Sequence, residues 1–261
     1  MATSQVASAV AGGCENDRVM NDAATTLSSV PAPTPALVPQ AVLWDFDGTL
    51  ADTEPLWIGA EFEIIEGELG ASWSMEHAEQ LVGSDLIDSA TYMLNTIGRT
   101  DLEPAWMVEQ LLSRVVHGIQ TAEELPWRPG ALELLAALRA AGTPCALVSA
   151  SYRVLLDAVL ARLPEGSFDV SVGGDEVTKG KPHPEPYQKA CALLGVDARS
   201  CVVLEDSATG ARAGNAAGAV VVGIPNVVDI PPAPRRVTVD SLTTLDPDRL
   251  TALYAQVTSA G

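Results

Sequence analysis

The chain has 261 residues, with 34 acidic and 15 basic side chains and a formal net charge of −19. Its apolar content of 47 % suits a packed globular protein, and its length suits one large domain or two small ones. A charge this negative repels phosphate backbones, which argues against nucleic acid as a partner. Its apolar runs reach about ten residues, against the roughly 20 of a spanning helix, which argues against a membrane.

Residues 1–40 are rich in Ala, Ser, Thr and Pro and end in PAPTPALVP. Such a stretch buries too little area to offset its ordering entropy. It reads as a disordered tail with a partly extended, Pro-rich linker. The segment VASAVAGGC lacks the positive start and the full apolar stretch of an export signal, so a cytoplasmic protein is expected. Cys14, Cys145, Cys191 and Cys201 show no CxxC spacing and read as small buried hydrophobes in a reducing compartment.

From Ala41 the texture changes. AVLWDF is a short apolar run ending in charge, as a buried parallel strand would be. Residues 57–127 follow with no β-branched run. LWIGAEFEIIEGELG, EHAEQLVG, DSATYMLNTIG and PAWMVEQLLSRVVHGI each carry a helical apolar period. This stretch holds 13 acidic and two basic residues, Arg99 and Arg114, a net of −11, and no lysine. It reads as a helical cap domain inserted after the first strand. The Pro-Gly pair at 129–130 marks the return to a core made of 41–56 and 128–261.

Beyond that point strands and helices alternate. The runs PCALVSA (144–150), FDVSVGG (168–174), CVVLED (201–206) and AVVVGI (219–224) read as strands. Between and around them lie helical patterns at 131–142, 153–163, 184–195 and 207–218. This is the signature of an α/β fold: a Rossmann-like parallel sheet with helices on both faces. Ligands of such sheets bind beyond the carboxyl ends of the strands.

The charges at those strand ends carry the chemistry. Asp45 and Asp47 lie two residues apart, so in extended chain they face one side, and Gly48 then permits a sharp turn. The fourth strand ends in Glu205-Asp206. Clustered carboxylates repel one another unless a cation joins them, and hard oxygen ligands suit Mg²⁺. Ser149-Ala150-Ser151 ends the second strand before a helix, where a hydroxyl and free backbone N–H groups can hold an oxyanion. The chain's three lysines, Lys179, Lys181 and Lys189, cluster nearby in sequence, and Lys181 supplies positive charge at the same edge.

This assembly resembles the haloacid dehalogenase superfamily, in its phosphatase-like, helical-cap branch with β-phosphoglucomutases and phosphoglycolate phosphatases. The resemblance spans about 41–225 and rests on four ordered motifs: DFDGTLADTE (45–54), LVSAS (147–151), KGKPHPEPY (179–187) and VVLEDSATGARAGNAAG (202–218). It implies that Asp45 is the nucleophile that forms an aspartyl-phosphate. Asp47 is then the general acid and base. It further implies that Ser149, Ala150 and Lys181 bind the phosphoryl group. Mg²⁺ is held by Asp45, the Asp47 carbonyl and Asp206, with Glu205 beside them.

Read singly, other residues have ordinary roles. Thr49 caps the turn or meets phosphate through its backbone. Asp52 and Glu54 shape the hinge. Lys179 is solvated, His183 is structural beside its prolines, and His77 and His117 pack or face solvent. Trp57, Trp73, Trp106 and Trp127 pack the cap and its edges; Trp57 and Trp127 flank the hinge, where lining the entrance is the alternative.

Residue types separate the branches. Asp47 disfavours a dehalogenase, whose pattern lacks the second aspartate. A lysine-free cap disfavours a phosphonate hydrolase, which needs a Schiff-base lysine. A β-phosphoglucomutase pattern has a histidine soon after the first motif and a cap-loop arginine. Here the segments are Glu54-Pro55-Leu56-Trp57 and Val82-Gly83-Ser84-Asp85. The expected function is a Mg²⁺-dependent phosphatase of a small phosphorylated metabolite, with a sugar or polyol phosphate as the candidate substrate. A sugar-phosphate mutase and a non-catalytic binding protein on the same scaffold are the alternatives. A monomer is the simplest expectation.

Overall fold

The computed structural model describes residues 37–82, 84–226 and 229–259. The tail expected over 1–40 lies outside the described residues, apart from 37–40. Six strands, β1 (Ala41–Trp44), β2 (Cys145–Val148), β3 (Val170–Val172), β4 (Cys201–Glu205), β5 (Val220–Gly223) and β6 (Arg236–Thr238), form one sheet. Its order is β3-β2-β1-β4-β5-β6, and every pair is parallel. The chain lays β2 and β3 on one side of β1, then crosses to lay β4, β5 and β6 on the other. That reversal opens a crevice at the carboxyl ends of the central strands. β6 was not apparent in the sequence, because RVT is three residues long and only half-buried.

Period-two alternation explains the core. Val42 and Trp44 of β1 face one apolar layer with α5 (Ala131–Ala140), α6 (Arg153–Leu160) and α9 (Pro247–Ser259). Ala41 and Leu43 face the other layer, with α7 (Glu185–Leu194) and α8 (Ala208–Ala217). All four residues of β1 are fully buried, as befits a strand with neighbours on both edges and helices on both faces.

The four expected helical segments become α1 (Glu54–Phe62), α2 (Met75–Leu81), α3 (Leu86–Thr96) and α4 (Pro104–Thr121), the cap region. Ser74 and Asp85 cap α2 and α3 by accepting from backbone N–H groups. α1 runs into a π-helical segment, Glu63–Glu68. The two links between helices and sheet lie side by side: Asp52 N–H donates to the Pro126 carbonyl at 2.8 Å, and Arg128 N–H to that of Leu50 at 2.9 Å. Among the described residues no helix is long and apolar enough to cross a membrane. Cys145, Cys191 and Cys201 are buried and free.

Leu43 is fully buried at the centre of the sheet, whereas Leu193 on α7 is more than half exposed. Leu43→Ala is expected to destabilise the fold by about 2–5 kcal/mol in urea denaturation, and Leu193→Ala by less than about 1 kcal/mol. Equal effects would refute this placement of the core.

Candidate active site

Asp45 is the first residue beyond β1. Its N–H still donates to the Leu204 carbonyl at 3.0 Å, so its side chain is set by the sheet and is almost fully buried. A turn follows at once. The N–H groups of Thr49, Leu50 and Ala51 converge on the Phe46 carbonyl, and Gly48 has φ +86°. Glycine is needed there twice over. The backbone is left-handed, and a Cβ would collide with the Asp206 carboxylate. Gly210, in the first turn of α8, has the same role for Glu205, whose carboxylate a Cβ would overlap.

Lys181 crosses to this point from the loop before α7. Its ammonium donates to Asp45 Oδ1 at 2.6 Å, Glu205 Oε1 at 2.7 Å and the Val148 carbonyl at 3.0 Å, which uses all three of its protons. It also lies 4.9 Å from the centre of the Tyr187 ring. Burial alone would push its pKa down; Asp45 and Glu205 outweigh burial and hold it above the usual lysine range.

Glu205 is fully buried. Its Oε1 accepts from Lys181 and from the Tyr187 hydroxyl, and its Oε2 from the N–H and hydroxyl of Ser207. Asp206 differs. It is nearly as buried, yet among the described residues no donor reaches its carboxylate. Asp45, Glu205 and Asp206 each offer an oxygen within 4.8 Å of the others. Burial, then Glu205, push Asp45 up to about 7 against the pull of Lys181. Burial, then Asp45 and Glu205, push Asp206 up to about 9. One ammonium among three carboxylates leaves negative charge to be offset, and a hard divalent cation fits the oxygens of Asp45 and Asp206.

Asp47 lies on the other side of the turn, held by four donors. Thr53 Oγ1 (2.7 Å) and Trp57 Nε1 (3.2 Å) donate to Oδ1. Ser149 Oγ (3.0 Å) and Ser151 Oγ (2.8 Å) donate to Oδ2. Ser149 Oγ in turn accepts from the Ser151 N–H at 2.8 Å, so β2 and the β1 loop are tied together. One cleft contains Asp45, Asp47, Ser149, Ala150, Lys181 and Asp206 in its lining, so six of the seven expected residues meet there. Glu205 sits just beneath, screened by its own donors.

Thr53, Tyr187 and Ser207 were missed as site residues. Trp57, expected to pack with a place at the entrance as the alternative, lines the cavity, and its indole donates to Asp47. The available signal was spacing: Thr53 and Trp57 are four apart on one helical face. Lys179, His183, His77 and His117 stay outside the cleft. His183 Nδ1 accepts from the Glu185 N–H, and His77 Nδ1 pairs with the Tyr92 hydroxyl.

The family model for haloacid dehalogenase-like hydrolases matches residues 42–224. The chain belongs to the haloacid dehalogenase-like hydrolases. It is 32 % identical to hexitol phosphatase B of Escherichia coli over 68 % of its own length and 79 % of that protein. It is also 32 % identical to the bifunctional riboflavin kinase/FMN phosphatase of Arabidopsis thaliana. There it is covered over 71 % but spans only 48 %, about half, of the longer relative. The crystal structure of CbbY from Rhodobacter sphaeroides in complex with xylulose-1,5-bisphosphate superposes with a TM-score of 0.68 at 27 % identity, covering 79 % of this chain and 96 % of that one. This dehalogenase-like hydrolase is of the phosphatase type.

Its buried ion cluster generates a stability prediction. Glu205→Leu strands the donors of Lys181, Tyr187 and Ser207, and is expected to cost about 3–5 kcal/mol. Tyr187→Phe removes a single donor and is expected to cost about 1–2 kcal/mol. Chemical denaturation followed by circular dichroism checks both, and a neutral Glu205→Leu would show that the cluster is not what holds these strand ends.

Proposed function

We propose that the protein is a Mg²⁺-dependent phosphomonoester hydrolase acting through an aspartyl-phosphate on a small sugar or polyol monophosphate. The observation that carries this is the convergence of Asp45, Lys181 and Asp47 on one cleft beside a donor-free Asp206 carboxylate. In this reading Asp45 attacks phosphorus while Lys181, releasing Asp45, the Ser149 hydroxyl, released from Asp47, and the Ala150 N–H steady the phosphoryl oxygens. Asp47, entering the step protonated on the oxygen that Ser149 has left, gives that proton to the departing alcohol oxygen. It then takes one from the water that cleaves the aspartyl-phosphate and frees Asp45. Asp45, Asp206 and the main-chain carbonyl of Asp47 would hold the Mg²⁺ ion, whose charge offsets the repulsion between carboxylate and phosphate. Glu205 has its acceptor positions filled and serves to aim Lys181.

In this reading residues 57–127 form the cap and 41–56 with 128–261 the core. The paired links at 50–52 and 126–128 are where the two would flex, to exclude bulk water during the phosphoenzyme stage. A mutase must grip a second phosphate. The cap's two arginines are engaged elsewhere: Arg99 pairs with Asp101, and Arg114 with Glu63 and Glu68. Among the described residues lining the cleft and the cavity next to it, Lys181 is the only lysine or arginine. The names hexitol phosphatase and CbbY, with its bound sugar bisphosphate, support a phosphorylated polyol or sugar. The missing second cation favours a monophosphate.

Purified protein with Mg²⁺ is expected to release inorganic phosphate from hexitol and hexose monophosphates. Asp45→Asn is expected to lower kcat by at least about 10³-fold. Removing Mg²⁺ with EDTA is expected to stop turnover, and re-adding it to restore it. No release across a broad panel of phosphomonoesters, or isomerisation as the main reaction, would overturn the proposal.

A further inference from the structure

A second cavity adjoins the cleft on the cap side. Asp47, Glu54, Val82 and Ala150 line both, so the space is continuous from the phosphate end into the cap. Its cap wall is mostly apolar, with Leu81, Leu86, Met93 and Leu111. Set into that wall is Glu61, which is only 5 % exposed. Glu54, Trp57 and Glu61 are spaced i, i+3 and i+7 along α1, so one helical face carries all three toward Asp47 and the cavity.

Glu61 is a buried acid with one donor on one oxygen and none on the other among the described residues. Oε2 accepts from Trp73 Nε1 at 2.9 Å; Oε1 has no partner among the described residues. Trp73 is itself fixed. Its ring stacks on His77 at 4.9 Å, His77 Nδ1 meets the Tyr92 hydroxyl at 2.7 Å, and that hydroxyl donates to Gln80 at 2.9 Å. Because Tyr92 gives its proton to Gln80, His77 Nδ1 must be the donor to Tyr92. Three cap elements therefore aim one carboxylate oxygen. Burial pushes Glu61 up to about 7, with the Trp73 hydrogen bond opposing. Oε2 serves the Trp73 indole, while Oε1 opens on the cavity with its acceptor positions available to a donor there.

Resting on the phosphatase reading above, we propose that Glu61 is the specificity-determining residue of the cap. Its Oε1 takes a hydrogen bond from a hydroxyl on the alcohol portion of the substrate, distal to the phosphoester. Trp73 is the positioning residue that holds it. The apolar wall contacts the carbon chain, and the carboxylates of Glu54 and Glu61 repel a second phosphate.

The test compares D-glucitol 6-phosphate with n-hexyl phosphate, which share the phosphate and the six-carbon chain and differ in hydroxyls. Two ratios are read: kcat/KM for the pair in otherwise wild-type protein, and Kd for the pair by calorimetry in Asp45→Asn protein, where nothing turns over. The expected result is a preference for the glucitol ester that falls at least tenfold in Glu61→Leu and at least threefold in Trp73→Phe. Glu61→Gln, which keeps an acceptor, should recover most of it. A preference that survives both Glu61→Leu and Trp73→Phe, or a wild-type protein with no preference, overturns the proposal. If Glu61→Leu does not fold, Trp73→Phe alone decides. Absence of turnover with a Kd ratio that still depends on Glu61 would sink the hydrolase reading and leave this one standing.

Discussion

Lys181 is the point on which the site depends. A lone ammonium buried this deeply would be driven to lose its proton, and each of the carboxylates around it would be driven to gain one. The ion pairs of Lys181 with Asp45 and Glu205 offset part of the cost of burying the three groups. The geometry then follows. Lys181 must lie where β1, β2 and β4 end, since its three acceptors are supplied by residues just past β1, at the end of β2 and at the end of β4. Gly48 and Gly210 are the steric counterpart, clearing room for the Asp206 and Glu205 carboxylates. Such a buried pair is weak evidence for stability in itself. Its value here is that it fixes where an attacking oxygen and a phosphoryl group could meet.

The two acids at the end of β4 show how neighbours divide labour through their donors alone. Glu205 has four donors and no oxygen free for a ligand. Asp206 has none among the described residues and faces the cleft. Their adjacency on a strand turns them to opposite sides, one to the helix-covered layer with Tyr187 and the other to the open end. Both are carboxylates, adjacent in the motif, and their surroundings divide their roles.

The acidity of the chain takes on meaning by location. Of the 13 acids of 57–127 twelve are exposed, where solvent screens them; Glu61 is turned inward, and so is Glu54 just before that stretch. Glu61 and Glu54 are both held up near 7 by burial. For Glu54 the next largest cause is Asp47, so the cap and the catalytic loop share a field. In the proposed function these carboxylates disfavour a second anion, and Lys181 is the cation that would receive the one phosphate.

Much of this was fixed by local pattern. Apolar runs of four or five residues separated by helical periods specify a parallel sheet, and acids and hydroxyls at the ends of those runs specify which edge carries the chemistry. Asp45, Asp47, Ser149, Lys181 and Asp206 were legible because each sits at a chain position whose direction the strand or turn dictates. β6 was not, because three half-buried residues carry too little periodicity to stand out from a loop. The donor set of Asp47 was not legible either. Thr53, Trp57, Ser149 and Ser151 come from two segments about a hundred residues apart, and only the folded chain brings both to Asp47. The same holds for Glu61. In sequence it is one of 13 cap acids. Tertiary packing turned it inward against Trp73, and burial, which no local pattern reports, gave that carboxylate a character the others lack.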